Sequence, residues 1–522
     1  MVYDHQDLTP SKELNWVPCF DSFTCTYLTV PLDYKDPSAG ETDIAFIKYT
    51  GANSTGQEIL YNPGGPSSSG VVSLIHSASG FAEIFGDEYD FVSFDPRGVN
   101  NSGPAVSCFP TIKERDDYDG GSSGSTPLAE QYQSTKALGE YCTQVNLNTT
   151  AKYVGTSAVV QDMMHYTELV ATTNGQDPAE AKIWYYGISY GTVIGHTLAT
   201  MYPDRIGRII VDGNVYSYEH YQGLQTNTVD DCDHAFKFFF DFCYEAGELC
   251  PFNGNASSVA EIETRYRALL KSLEDSPPIY PGSTYVVKRY EFENWAFGKM
   301  YAPTWQFAEL ATAAANLEAG NITAFWPSFI APSKAVPAGL KGVPTNANYT
   351  GRAIEEAMAL IMAADVVDRY PIKTFADYME VVQSLRLNSY YGSTTIGNQN
   401  ALIANGLVIT PPESQHFPGF KITNTLNPIL FIGTTGDPIT PMSSAFKMSA
   451  YFPGSVVLTQ DSPGHSFDSA KSNCTRGYAR AYLADASLPP VDTVCASDLT
   501  ALDYFKPATQ ARRRGMERRG LY

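Results

Sequence analysis

The sequence predicts an α/β fold: a mostly parallel central sheet flanked by helices, with a helical region inserted into it. Three observations carry this. Short apolar runs alternate with stretches of helical periodicity over residues 44–212. Over 215–420 the texture becomes helical and aromatic, and after 428 short β-branched runs return. Strands alternating with helices give a parallel sheet covered on both faces. With 522 residues, 43% hydrophobic and 17% charged, the chain has the apolar content for a large core.

Taken in order, residues 44–49 read as a strand, and 58–61 as another that runs into Asn62-Pro63-Gly64-Gly65-Pro66. Residues 89–94 form a third, ending in Asp95-Pro96-Arg97-Gly98, and the Gly/Ser-rich stretch 117–126 is a surface loop. Residues 159–172 carry helical spacing. A strand at 182–186, a tight turn and a helix at 190–201 follow, then a strand at 208–212. Within 215–420 the helical stretches are 230–246, 259–275, 305–319 and 354–364, with Pro/Gly breaks at 277–282 and 332–344. Strands are expected again at 428–433 and 455–458.

Gly187-Ile188-Ser189-Tyr190-Gly191 fits G-x-S-x-G in the setting that motif needs, a strand before it and a helix after it. The glycines permit a sharp turn that exposes Ser189 at the sheet edge. The helix N-terminus behind it favours developing negative charge. A triad built on such a turn runs Ser, acid, His along the chain. Asp437, in Gly436-Asp437-Pro438, follows a late strand, and His465, in Pro463-Gly464-His465, follows the last one. His465 would take the Ser189 proton and return it to the leaving group, and Asp437 would fix the imidazole tautomer. The backbone N–H groups of Tyr190 and Gly65 are the expected oxyanion donors. His165 and His196 fall at helical core or groove positions, and His76, after the Gly-Gly loop, is placed to line the site. No G-K-[ST] or G-x-G-x-x-G with a downstream acid occurs, which argues against a phosphate cradle.

A net charge of -21 disfavours nucleic-acid binding. The basic cluster of Arg512, Arg513, Arg514, Arg518 and Arg519 reads as a solvated tail. No run approaches 18 consecutive apolar residues, so no membrane span is expected. Nine cysteines without a CxxC, and only 8 histidines, argue against zinc. Local disulfides with one cysteine left over, or buried free thiols, are the two readings. N-x-S/T sequences at Asn53, Asn100, Asn148, Asn255, Asn321, Asn348 and Asn473 agree with a secreted glycoprotein, whereas residues 1–18 contain no apolar signal region, so either a leader has been removed or the protein stays inside the cell.

These stretches carry a resemblance. The run from Cys25 to Tyr34, the Asn62–Pro66 loop, Phe94 to Gly98, the Ser189 turn, and Gly436-Asp437-Pro438 with Gly464-His465 together resemble the α/β-hydrolases of the prolyl/tripeptidyl aminopeptidase group, with a TAP-like C-terminal region. The resemblance spans about 16–500. It implies an α/β-hydrolase core over 16–214 and 421–505, a helical cap over 215–420, and a basic tail over 506–522. It also implies Ser189, Asp437 and His465 as triad, and disulfides Cys19–Cys25, Cys243–Cys250, Cys474–Cys495 and Cys108–Cys142. Ser67 and Asn100 stand where the family commonly has glycine; Asn tolerates left-handed backbone, and Ser67 lies beside the oxyanion loop. Aminopeptidases of this group hold the substrate's amino group with cap carboxylates. Glu219, Asp230 and Asp231 are the candidates here, each of which also reads as a solvated surface acid.

The expected activity is serine hydrolysis of amide bonds, releasing N-terminal residues or short peptides. The alternative is hydrolysis of a small-molecule ester or amide on the same triad, and the contrasting class is a non-catalytic binding protein on a hydrolase scaffold. Peptide or small-molecule acyl substrates are the expected partners, and the chemistry requires no metal or organic cofactor.

Overall fold

The computed structural model describes residues 1–118, 126–324 and 351–506. The 507–522 tail, most of the Gly/Ser-rich loop, the 332–344 break and Asn348 lie outside them. Ten strands form one sheet: β1 Val17–Cys19, β2 Phe23–Pro31, β3 Glu41–Tyr49, β4 Gln57–Asn62, β5 Tyr89–Phe94, β6 Ile183–Ile188, β7 Ile206–Asp212, β8 Leu430–Gly436, β9 Val456–Pro463 and β10 Val494–Ala496. Their order is β1-β2-β3-β5-β4-β6-β7-β8-β9-β10. β1, β2 and β3 are antiparallel to their neighbours, and every pairing from β5 across to β10 is parallel.

Alternation along the inner strands explains why both faces are covered. Phe46, Val211 and Phe431 point into one buried cluster, shared with the helices Thr156–Thr173, Tyr190–Met201 and Met442–Ser449. Ala45, Ile47, Ile210, Leu430 and Ile432 point into the other, under the helices Gly70–Phe85 and Asn473–Asp485. A strand buried on both sides must be apolar at consecutive positions, and these strands are.

Between β7 and β8 the long helices Cys232–Ala246, Val259–Asp275, Arg289–Lys299 and Pro303–Glu318 bury a separate aromatic core that includes Phe236, Phe239, Phe240 and Tyr266. Helix Gly351–Val366 instead packs Leu360, Ile361, Ala363 and Ala364 into the sheet's own core.

Two buried polar knots tie the core to its loops. Arg97, fully buried, makes a bidentate pair with Asp162 and donates to the carbonyls of Pro31, Leu32 and Tyr153. Asp95 accepts from Ser69 Oγ, Val71 N, Asn100 Nδ2 and both amide nitrogens of Asn101. It therefore places a carboxylate at the N-terminus of helix Gly70–Phe85, where the helix dipole favours it. Asn100 adopts the left-handed backbone (φ 45°) that glycine would otherwise supply. Its side-chain nitrogen is engaged with Asp95 and Ser69, so nothing here supports a glycan on it.

Four disulfides join Cys19–Cys25, Cys108–Cys142, Cys243–Cys250 and Cys474–Cys495, the pairings the resemblance implied, and Cys232 is left as a buried thiol. Among the described residues no group of three or more His, Cys, Asp or Glu is arranged to hold a metal, and no helix is long and apolar enough to cross a membrane. Peptide mapping without reduction is expected to return these four pairs. Burial raises the Cys232 thiol far above its ordinary value, so alkylation at neutral pH should modify it only after denaturation. Rapid alkylation of the native protein would contradict this packing.

Candidate active site

Strand order fixes where the site lies. β4 sits between β5 and β6, so the chain leaves β4 in one direction and returns past it in the other. Such a reversal opens a crevice outside the carboxyl ends of the two strands. The register brings Asn62 of β4 opposite Gly187 of β6, and Ile188 opposite Asp212 of β7. The Asn62–Pro66 loop, the Ser189 turn and Asp212 therefore leave the sheet at one rim.

Ser189 stands between β6 and helix Tyr190–Met201 with φ 57° and ψ −125°. A non-glycine residue held there stores about 1–3 kcal/mol of strain. Its N–H donates to Asp212 O at 3.0 Å, and its carbonyl accepts from Thr192 N at 2.8 Å and Thr192 Oγ1 at 2.6 Å. The flanking glycines are required by space: a Cβ on Gly187 would sit 2.4 Å from Gly191 O, and one on Gly191 would sit 2.6 Å from Asn62 O. Gly64 (φ +104°) approaches so closely that a Cβ there would lie 2.8 Å from Ser189 Cβ and 3.0 Å from Tyr190 N. Gly64 donates its own N–H to Asn62 Oδ1 at 2.9 Å, which leaves the next amide, Gly65, as the loop's donor at this point. Tyr190 N opens the helix, where the first N–H groups have no partner within the helix.

His465 follows β9 and Asp437 follows β8, and the two meet: Nδ1 lies 2.8 Å from Asp437 Oδ2. Asp437 is completely buried and fully engaged. Oδ1 accepts from Ile439 N at 2.9 Å and Thr440 N at 2.8 Å, and Oδ2 accepts from Thr440 Oγ1 at 2.6 Å. His465 also donates its backbone N–H to Tyr301 O at 2.9 Å, with the Tyr301 ring packed edge-on at 5.2 Å. Burial works against the charged imidazole. The charge and hydrogen bond of Asp437, with Asp212 adding to the same field, overcome that and hold the His465 pKa above its ordinary value.

Asp212 is a site residue the sequence analysis did not single out. It is fully buried at the end of β7, accepts from Phe467 N at 3.1 Å and Tyr186 OH at 3.0 Å, and is pushed by burial to a pKa of about 7. Through Phe467 it holds the His465 loop, and through its backbone carbonyl it holds Ser189. Its signal in the sequence was an acid ending an apolar strand, the place where Asn62 ends β4.

The three cap carboxylates are placed as follows. Glu219 accepts from Thr226 N at 2.7 Å, Thr226 Oγ1 at 2.9 Å and Asn227 N at 3.4 Å, which braces its own loop. Asp230 accepts from Asn388 Nδ2 at 3.1 Å. Asp231 accepts from Met442 N at 2.8 Å, at the start of the helix after Asp437. Burial raises both aspartates. His196 is buried against Ser217 Oγ at 2.8 Å. His76 lines a cavity of about 480 Å³ together with His465, Ile188, Pro63, Tyr301 and Trp305. A larger cavity, about 870 Å³, lies at the opposite end of β4 and β6 against Gln57, Glu58 and Lys182–Trp184, away from the rim that carries Ser189 and His465.

The family described as alpha/beta hydrolase fold matches residues 59–239, and the family described as TAP-like protein matches 407–495. The chain has the α/β-hydrolase fold. Serine protease Hip1 of Mycobacterium tuberculosis is 24% identical over 514 residues, covering 93% of this chain and 91% of that protein. Tripeptidyl aminopeptidase of Streptomyces lividans is 25% identical over 496 residues, covering 91% and 84%. Carboxylesterase B of M. tuberculosis is 24% identical over 485 residues, covering 90% and 86%. With these relatives along nearly its whole length, this α/β-hydrolase is a hydrolytic enzyme.

Behind the Ser189 turn lies a second buried acid the sequence did not mark. Asp365 of helix Gly351–Val366 accepts from Thr156 N at 2.6 Å, Thr156 Oγ1 at 2.5 Å and His220 Nε2 at 2.8 Å, and Thr156 Oγ1 in turn meets Tyr190 OH at 2.6 Å. Asp365→Ala would strand several buried donors at once, each worth about 1–3 kcal/mol. A loss of about 3–5 kcal/mol is expected, read as a lowered urea midpoint at unchanged slope. Asp365→Asn, which keeps one of the two acceptor oxygens in place, should lose less.

Proposed function

We propose that this α/β-hydrolase is a serine peptidase that releases N-terminal residues or short peptides through an acyl-enzyme. Ser189 is the nucleophile, His465 the general base and then acid, and Asp437 the group that orients the imidazole. The observation that carries the proposal is the Nδ1–Asp437 bond at 2.8 Å, which commits the other ring nitrogen to the substrate side of an imidazole standing at the same rim as the strained Ser189. The relatives named serine protease and tripeptidyl aminopeptidase support the amide-cleaving direction.

In acylation Ser189 Oγ attacks the carbonyl carbon while His465 takes its proton. The oxyanion gathers between the N–H groups of Tyr190 and Gly65. The C–N bond then breaks as His465 returns the proton to the leaving nitrogen. Water repeats the sequence in reverse and frees Ser189. The region 215–420 acts as a cap over this rim, supported by Tyr301 and Trp305 beside His465.

A second reading, hydrolysis of a small-molecule ester or amide, is favoured by one observation. All three candidate carboxylates, Glu219, Asp230 and Asp231, already accept bonds from this chain's own groups, and a carboxylesterase stands among the relatives. Aminoacyl and tripeptidyl chromogenic amides compared with their N-blocked forms and with aryl esters separate the two. Turnover of free-amino substrates alone is expected, and turnover confined to blocked amides or esters would replace the peptidase reading with the second.

A fluorophosphonate probe is expected to label the wild type at Ser189 and to leave Ser189→Ala unlabelled, and an unlabelled wild type would end the catalytic assignment. Asp437→Asn should retain labelling at a much reduced rate, with turnover down by about 10,000-fold.

The pH profile follows from the His465 environment. Only the neutral imidazole takes the serine proton, so kcat/KM falls as pH drops through its pKa. Because Asp437 and Asp212 raise that pKa, the acid limb should lie above the ordinary imidazole value of about 6.5. Asp212→Asn removes one of the two charges and should move the limb to lower pH.

A further inference from the structure

The cavity of about 480 Å³ beside the triad has a composition that its position does not by itself require. One wall is His465 with Ser466 and Ser469. A second is a face of helix Gly70–Phe85, including Ser73, His76 and Ser77. A third is Tyr301 to Trp305 of the inserted helices. Its floor is aromatic, with Tyr61, Phe81 and Tyr186 at the carboxyl ends of the strands and the adjoining helix. The volume falls within the range of sites that enclose small organic groups.

Three features give it a direction. First, His465 lines it, with Ile188 and Pro63 flanking its inner end. In acyl transfer the imidazole hands its proton to the departing nitrogen, so the departing group must lie against the imidazole. Space bounded by His465 is space for the leaving group. Second, aromatic side chains stand on several sides, Tyr61, Tyr186, Tyr301 and Trp305, and the two carboxylates of the lining, Glu83 and Asp468, are paired with Arg476, which favours an aromatic or large apolar side chain. Third, His76 Nε2 is shielded from solvent and has no hydrogen-bond partner among the described residues. Burial lowers the His76 pKa despite a bond to the Val72 backbone, so the ring is neutral at pH 7 and suits an uncharged amide.

We infer that this cavity is the leaving-group subsite. It receives the residue that follows the scissile bond and prefers an aromatic or large apolar side chain there. The inference rests on the acyl-transfer reading above. In the step it serves, the Ser189 Oγ–carbonyl carbon bond forms and the carbon–nitrogen bond breaks. The serine proton passes through His465 to the nitrogen, and the freed amine occupies the cavity until water enters to release the acyl group.

The test uses the full-length enzyme and needs no knowledge of the acyl preference. The rate of fluorophosphonate labelling at Ser189 is measured with increasing phenylalaninamide, a stand-in for the departing residue, and with glycinamide. In the wild type phenylalaninamide is expected to slow labelling saturably by fivefold or more, and glycinamide by less than twofold at the same concentration. Trp305→Ala opens the aromatic wall and Ser77→Phe fills the cavity from the helix side. In each variant, relative to its own rate without amine, protection by phenylalaninamide should drop below twofold, and residual labelling reports that the site is folded. A labelled wild type that phenylalaninamide does not protect, or protection that survives both substitutions, overturns the subsite and leaves the serine-hydrolase assignment standing. A wild type that is not labelled at all overturns both.

Discussion

The arrangement depends on one steric constraint, the close approach of three chain segments around Ser189. The turn from β6 into helix Tyr190–Met201 works only because Gly187, Gly191 and Gly64 bring backbone to within distances that any Cβ would violate. This forces Ser189 to φ 57°. The strain is held by β7, through the bond from Ser189 N to Asp212 O, and by Thr192 closing on the serine carbonyl. The elbow, the oxyanion loop and the end of β7 therefore form one rigid body. Such over-determination is what keeps a sparsely populated conformation in place.

A second constraint is electrostatic. The chain carries a charge of -21, yet its decisive carboxylates are buried, and each is held by donors. Arg97 holds Asp162, and Asp95 is held by a ring of hydroxyl and amide groups. Asp437 is held by two backbone N–H groups, a threonine and His465. Asp437 has more donors than Asp212, which depends on one backbone N–H and one phenol. Burial pushes Asp212 to a pKa of about 7, against the bonds from Phe467 N and Tyr186. The difference in donors suits Asp212 to act through position, holding the Phe467 loop and the elbow, and Asp437 to serve as the fixed negative partner of the imidazole.

Much of this was legible in the sequence, and the reasons differ by residue. Strands β3 to β9 declared themselves because a doubly covered sheet needs consecutive apolar residues. Ser189, Asp437 and His465 could be located because each follows a strand in a fixed chain order, and Asn100 because only a few residues accept left-handed backbone. Helices Gly70–Phe85, Leu128–Asn146 and Asn473–Asp485 escaped notice: the first begins in a Ser/Gly-rich run, and the other two have weakly apolar faces. Asp365, Thr156 and His220 were invisible because their meeting joins chain positions 209 and 145 residues apart with no local pattern. The partners of Glu219 were not legible either: nothing in the sequence announces that Thr226 and Asn227 return to it.

The inserted helices bear on the chemistry at points that composition does not predict. Their aromatic core is separate from the clusters on the sheet's two faces, though helix Cys232–Ala246 meets the end of β8 through His234 Nδ1, 2.8 Å from Thr435 O. Contact with the triad comes instead from the short corner Met300–Ala302 entering helix Pro303–Glu318, where Tyr301 O takes the His465 N–H and the Tyr301 ring meets the imidazole edge-on. Thr304 Oγ1 donates to Ser469 O and so fastens the same corner to the far end of the His465 loop. Two bonds thus couple the imidazole's backbone to the insert while Asp437 couples its side chain to the sheet. The insert is therefore placed to set where the imidazole's free nitrogen points, and with it which substrates meet a correctly aimed proton.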